Sequence, residues 1–130
     1  MEKKYTQGIY IDGIYFDIPL ISLKRNAEFL DRYAKRVRDG DLKRNLIGVY
    51  LNYTMYFGDI DDLDVYEQLW KKLTEPVEFH DFEVPDIRGT YTFRGYISSV
   101  SDEAKKIEEN VSYFGNLACK FIAKKPARKR

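Results

Sequence analysis

The sequence predicts a mainly β fold of the α+β class, an antiparallel β-sandwich or partly open barrel with one flanking helix. The main observation is the segment 45–57, NLIGVYLNYTMYF, in which every odd position from 47 onward is apolar. This two-residue period and the β-branched and aromatic content are typical of a strand with one face on a core. A second observation is the aromatic content of 15%, with 11 Tyr, which suits half-buried sheet surfaces. Only one segment, 59–73, has a clear helical pattern.

Composition limits the possible classes of protein. The 130 residues suffice for one domain, 1–130, with a real core. Lys and Arg number 22 against 21 Asp and Glu, so the net charge of +1 gives no global reason to expect nucleic acid. The single cysteine, Cys119, excludes an internal disulfide and a cysteine-rich metal site. We expect no signal peptide and no membrane span, and folding in a reducing cytoplasm.

The N-terminal segment 7–18, QGIYIDGIYFDI, predicts a β-hairpin. Two apolar runs flank Asp12-Gly13, a pair favoured in tight turns that need positive φ. Pro19 is expected at a strand end or edge.

The segment 22–38 is ambiguous between a helix and a strand. Apolar residues recur at spacings of four and three residues, which favours a helix capped by Ser22 and ended by Gly40. The alternative is a long polar β-arm that turns at 39–41 and returns through 42–44 into the central strand. The helical stripe consists of Leu23, Ala27, Leu30, Ala34 and Val37.

The segment 59–73, DIDDLDVYEQLWKKL, predicts a helix over about 60–73. Acidic residues occupy its first turn and two lysines its last, as the helix dipole favours. Pro76 then prevents its continuation. We expect this amphipathic helix to cover one side of the sheet, with Trp70 as its anchor.

The rest of the chain is predicted to be mostly strands. We expect strands at 77–84, with a bulge or a twist between Phe79 and Phe82, at 90–100 and at 110–123. A turn should occupy 86–89, and the charged segment 101–110 should be a loop or one short helix. The basic tail 124–130 is expected to be mobile.

No segment carries a catalytic signature, and we expect no enzyme. His80, the only histidine, has the surroundings of a strand face. The acidic run at 59–64 lacks the glycine and glutamate of a calcium loop and is interpreted as helix capping. Cys119 alternates with apolar residues as a small buried hydrophobe. The sequence therefore predicts no catalytic, cofactor-binding or metal-binding residues.

Basic residues concentrate in the middle of the chain and in the tail. Acidic residues interleave with the first group, which favours a solvated face or a charge-complementary protein interface over nucleic acid binding. The candidate interface residues are Lys24, Arg25, Arg32, Tyr33, Arg36, Arg38, Lys43 and Arg44. The predicted core anchors are Tyr53, Trp70, Phe93 and Phe121.

Five segments together carry a resemblance to a known family. They are ISLKRNAEFLDR (21–32), DGDLKRNLIGVYLNYTMYFG (39–58), YEQLWKKLTEPVEFHDFEVP (66–85), TYTFRGYISSVSDE (90–103) and GNLACKFIAKKPAR (115–128). In order and spacing they resemble small proteins from the tail-gene region of phages and prophages of Gram-positive bacteria. The plan of a long strand, an acidic turn into Tyr-x-x-Leu-Trp and two aromatic strands is similar to the tail-tube and distal-tail family.

That resemblance implies a tail-tube-like fold whose subunits close into rings and reach a neighbour with a long β-arm, here 23–44. It implies a non-enzymatic structural component of a phage tail or baseplate, built in the host bacterial cytoplasm and kept in the virion tail. Its partners would be its own copies and other tail proteins, without a cofactor. The alternative is a small nucleic-acid-binding or adaptor module that uses the basic arm and the C-terminal tail.

Overall fold

One open antiparallel sheet and one helix make up the fold, as a computed structural model that describes residues 8–130 shows. The elements are β1 (Ile9–Ile11), β2 (Ile14–Phe16), β3 (Leu20–Arg36), β4 (Leu42–Phe57), α1 (Leu63–Leu73), β5 (His80–Pro85), β6 (Thr90–Ile107), β7 (Ser112–Ala123) and β8 (Arg128–Lys129). The strand order is β2-β1-β5-β6-β7-β4-β3, with β8 paired to β4. The predicted fold class, a mainly β protein with one helix, is confirmed.

The central strand predicted at 45–57 is confirmed and begins three residues earlier, as β4. It pairs with β3 along its whole length and with β7 from Tyr53 to Tyr56. Its odd residues Tyr53, Met55 and Phe57 are buried, as the alternation predicts. Asn52 is also buried. Its side-chain oxygen accepts a hydrogen bond from the Ala123 N–H at 3.0 Å, so this buried polar group has a partner.

The N-terminal hairpin is confirmed from Gly8 onward, and Gln7 lies outside the described residues. Ile11 pairs with Ile14, and the turn residues Asp12 and Gly13 have φ of 53° and 81°. Both lie in the left-handed region that Asp tolerates and Gly adopts freely. This backbone geometry explains why the Asp-Gly pair marks the turn.

Of the two alternatives for 22–38, the helix is wrong and the long β-strand pair is confirmed. This segment is strand β3, which pairs with β4 from Leu20–Phe57 to Arg36–Leu42. The turn between them contains Gly40, at φ 87°. Three residues of the expected helical stripe, Ala27, Leu30 and Ala34, are exposed in this strand. The backbone groups of β3 that face β4 are paired in the ladder between the two strands.

The helix predicted at about 60–73 is confirmed but begins at Leu63. Asp62 caps it, because its side chain accepts hydrogen bonds from the N–H groups of Asp64 and Val65 at 3.0 and 3.3 Å. Leu69 and Leu73 are its fully buried residues, while Trp70 packs partly buried against the same core.

The strand expected at 77–84 is confirmed as β5 but begins only at His80. Its register with β6 has no shift, so of the expected bulge or twist the bulge is absent from β5. The loop or helix expected at 101–110 is instead the continuation of β6 to Ile107, paired with β7. The register between β6 and β7 shifts at three points along this ladder. The turn at 86–89 is confirmed, with Gly89 at φ 67° and a hydrogen bond from Asp86 N–H to the Gly89 carbonyl.

The basic tail is partly paired, where the sequence predicts a mobile segment. Arg128 and Lys129 form β8, which lies opposite Val49 and Gly48 of β4. The Ala127 N–H donates to the Val49 carbonyl at 2.8 Å. This backbone pairing has no counterpart in the side-chain pattern of the segment, so the sequence does not predict it.

The hydrophobic core lies between one face of the sheet and α1, with buried residues from β1, β2, β4, β5, β7 and α1. At its centre the rings of Phe82 and Phe121 stack with centroids 4.0 Å apart. Of the predicted anchors, Tyr53 and Phe121 are buried, and Phe93 lies partly buried against Tyr53 at 5.2 Å. Cys119 is buried beside them.

Candidate functional site

A two-stranded ribbon extends from one end of the sheet and contains most of the predicted interface residues. We call residues 31–46, the distal part of the β3–β4 hairpin, the arm. Within residues 8–130, its strands 31–36 and 42–46 pair only with each other. At about 3.3 Å per residue, the paired part of β3 in the arm extends about 20 Å. The arm is therefore a projection from the sheet, without a core of its own.

The candidate interface residues divide between the arm and its base. Lys24 and Arg25 lie in the body of the sheet, where Arg25 forms an ion pair with Asp86 at 2.9 Å. The other six all lie on the arm or its turn and are exposed: Arg32, Tyr33, Arg36, Arg38, Lys43 and Arg44.

Part of the positive charge on the arm is not neutralised within the subunit. Arg44 forms an ion pair with Asp31 at 2.6 Å, and Lys43 lies 3.6 Å from Asp41. Arg32 and Arg38 have no carboxylate partner among the described residues. The arm therefore presents free guanidinium groups, which favour bidentate contacts with carboxylates.

Large apolar side chains accompany these charges. Tyr33 and Leu42 on the arm are 50% and 49% exposed, and at its base Phe29 is 60% exposed. The Arg44 guanidinium lies 5.6 Å from the centre of the Phe29 ring, within the range of a cation–π contact. In the β3–β4 register Tyr33 and Leu42 lie on opposite faces of the arm, so each face exposes one large apolar side chain.

Both edges of the sheet lack a partner strand among the described residues. The outer edge of β3, Leu20–Arg36, and the short edge of β2 end the strand order. Unpaired edges present N–H and C=O groups to any other strand of suitable shape. The 17-residue edge of β3 is therefore a surface on which another chain can add a strand.

A groove lies between α1 and the turn of the β6–β7 hairpin. We call it the groove; its volume is about 360 Å³. Its apolar lining includes Leu63, Trp70, Val111 and Phe114, and the Tyr66 hydroxyl donates to Asp102 at 2.8 Å to join helix and hairpin. This hydrogen bond fixes the two walls relative to each other.

Four titratable side chains converge beside the N-terminal turn, which the sequence pattern does not predict. His80 Nδ1 lies 2.7 Å from Asp12 Oδ2, and Lys72 Nζ lies 3.0 Å from the same oxygen. Glu75 lies 3.4 Å from Lys72 Nζ. Asp12, Glu75 and His80 could each offer a ligand atom to a metal ion, within 4.8 Å of one another. Lys72, however, already supplies a cation between the two carboxylates, so the cluster is accounted for as an ion-pair network.

The cluster joins three elements at this corner of the fold. Burial raises the pKa of Asp12, but hydrogen bonds from the Asp81 N–H, His80 and Lys72 outweigh it and lower the pKa to about 2. Asp12 is therefore ionised at neutral pH, and His80 Nδ1–H donates to it. His80 itself is buried, which agrees with a structural role for the ring.

The buried hydroxyl and thiol groups are held in their protonated forms. Burial and the neighbouring Tyr91 raise the pKa of Tyr53 to about 12. Burial raises the pKa of Cys119 to about 12. Burial and the hydrogen bond to Asp102 also raise the pKa of Tyr66. A thiol in this state is a poor nucleophile at neutral pH.

Comparison of the chain with protein-family models, with characterised proteins and with solved structures found no significant match. Among residues 8–130, no helix is long and apolar enough to cross a membrane.

Proposed function

We propose that the protein is a non-enzymatic structural component of a phage or prophage tail or baseplate, which assembles with its own copies into a ring. The observation that carries the proposal is the arm, which projects from the sheet with exposed apolar side chains and free guanidinium groups. Such a projection buries little within the subunit, so its apolar and charged groups are available to another one.

The open edge of β3 supports the same proposal. Strand addition to an edge satisfies backbone groups that are otherwise left to water, and subunits related by a rotation can repeat the contact until a ring closes. Arg and Tyr are enriched in protein interfaces, and the arm has four Arg and one Tyr. Assembly would take place in the host bacterial cytoplasm and the product would be part of the virion tail.

An arm-shortened variant tests the proposal. Replacing residues 32–45 by Asn-Gly keeps the pair Asp31–Leu46 and closes the hairpin with a favoured two-residue turn. Light scattering coupled to size exclusion, over a range of concentrations, should give a discrete multimer for the wild type and a monomer for the variant. Circular dichroism checks that the variant keeps its fold. A wild type that stays monomeric, and that also fails to bind other tail proteins from the same gene cluster, would refute the proposal.

A second candidate function is a nucleic-acid-binding or adaptor module. One observation favours it: β8 brings Arg128 and Lys129 beside Val49 and Gly48, at the base of the arm, so the two basic groups of the chain are neighbours. In a gel retardation assay this function requires binding that weakens as salt rises, with a shallower salt dependence after Arg128→Ala. Absence of any retarded complex at low salt removes this candidate.

A further inference from the structure

The arm and the groove lie at opposite ends of the sheet. β4 runs from the arm turn toward α1, and β7 runs antiparallel to it, with Tyr53 opposite Phe121 and Tyr56 opposite Ala118. The β6–β7 turn therefore lies beyond the end of β4 that is remote from the arm. The 16 residues of β4 alone correspond to about 50 Å. An arm cannot reach the groove of its own subunit.

The arm and the segment beside the groove have opposite charge. The arm has six Lys or Arg and three Asp. The segment 59–67, which leads into α1 at one side of the groove, has five acidic and no basic residues. Of these only Glu67 lines the groove, and it forms an ion pair with Lys71 at 3.8 Å. Asp59, Asp61 and Asp64 form no ion pair within the described residues, like Arg32 and Arg38 on the arm. The acidic segment beside the groove thus offers charge that the arm can neutralise.

The groove also offers an apolar surface to the arm. Its walls expose Leu63, Val111 and Phe114 by 45%, 38% and 45%. Apolar side chains that displace water from these walls gain free energy. Tyr33 and Leu42 are the exposed large apolar side chains of the arm itself, one on each face of the ribbon.

We propose that the groove between α1 and the β6–β7 turn binds the arm of a second copy of this chain. This inference rests on the proposed self-assembly and adds the receiving surface. Because arm and groove are different surfaces at opposite ends, the contact is head to tail. Contacts of this type repeat from subunit to subunit, and they close into a ring when the rotation between subunits permits.

A mixing experiment with two blocked variants tests the contact. The arm-blocked variant is the arm-shortened chain described above, which keeps its groove. The groove-blocked variant is Leu63→Lys, which adds one charge at an exposed position in the wall of the groove. The matched control is Gln68→Lys, which adds charge to an exposed position of the same helix that does not line the groove.

We expect each blocked variant alone to be monomeric and their equimolar mixture to stop at a dimer of one full-length 15.4 kDa chain and one shorter chain, because only one productive contact is available. The control should assemble like the wild type, and high salt should weaken all assembly. The inference is overturned if the groove-blocked variant assembles like the wild type, if the mixture forms no dimer, or if the control is equally disrupted. If the groove-blocked variant assembles like the wild type but the arm-shortened variant stays monomeric, the arm–groove contact is refuted and the proposed function is not. A wild-type monomer overturns the contact, and the proposed function then depends on its other tail partners.

Discussion

Replacement of Asp12 by Asn should show how much the ion-pair network beside the N-terminal turn stabilises the fold. Asn tolerates the φ of 53° at this position, so the backbone of the turn is unaffected. The carboxylate pKa falls from 3.8 to about 2, and each pKa unit corresponds to about 1.4 kcal/mol. Because the side chain is 30% exposed, solvent screening reduces this contribution, and we expect a loss of about 1–2 kcal/mol at pH 7.

The stabilisation by the Asp12 carboxylate should decrease as pH falls. A lowered pKa means that the unfolded chain binds the proton more tightly, so the stabilisation is complete above pH 4 and disappears as pH falls through about 2. The difference between wild type and Asp12→Asn should therefore shrink by about half at pH 3. Urea unfolding followed by the fluorescence of Trp70 measures it.

The exposed carboxylate of Asp81 provides the control for Asp12. Asp81→Asn removes an exposed ion pair with Arg94 at 3.0 Å and should cost less than about 1 kcal/mol. If the loss caused by Asp12→Asn is the same at pH 7 and at pH 2.5, or if no loss occurs at pH 7, the network does not stabilise the fold through this charge.

Three further predictions concern the core, the tail and the thiol. Phe121→Ala removes a fully buried ring and should lower the free energy of unfolding by about 3–5 kcal/mol, whereas Ile107→Ala, at a 76% exposed position, should change it by less than about 0.5 kcal/mol in the same urea titration. Gly48→Ala places a Cβ 2.7 Å from the Arg128 carbonyl oxygen, so limited trypsin digestion should remove the tail faster than in the wild type; equal rates would contradict this. Cys119 should resist iodoacetamide at pH 8 in the folded protein and react in urea, and rapid labelling without urea would contradict its burial.

Local sequence patterns predict the elements whose two faces differ. In β4 the odd residues face the core, so the two-residue period is visible in the sequence. The Asp12-Gly13 turn is visible because its backbone conformation demands these residue types. The start of α1 is predicted because Asp62 and the acids around it suit a helix N-terminus. The helix begins only after its capping residue, Asp62, and therefore later than the start of the acidic run.

Long-range pairing determines the elements that the sequence pattern misses. Most residues of β3 are exposed, as are those of β6 beyond Val100, so neither strand needs an alternating pattern. Their strand structure comes from partners, β4 and β7, and tertiary pairing outweighs local propensity. His80 and Asp12 meet from positions 68 residues apart, and no spacing rule connects them. The groove likewise forms from α1 and a hairpin that begins far along the chain.

The arm contributes little to the stability of the subunit that carries it. An isolated two-stranded ribbon is only marginally stable in water, and beyond Asp31 the arm has its backbone ladder, one short ion pair and no buried apolar face. A chain that required only its own core could close the hairpin at Asp31 and Leu46. We therefore expect arm shortening to change the free energy of unfolding by less than about 1 kcal/mol while abolishing assembly, which separates the two roles. Urea unfolding of the arm-shortened variant at a concentration where the wild type is dissociated measures the first. A loss of several kcal/mol would show instead that the arm is part of the folding unit.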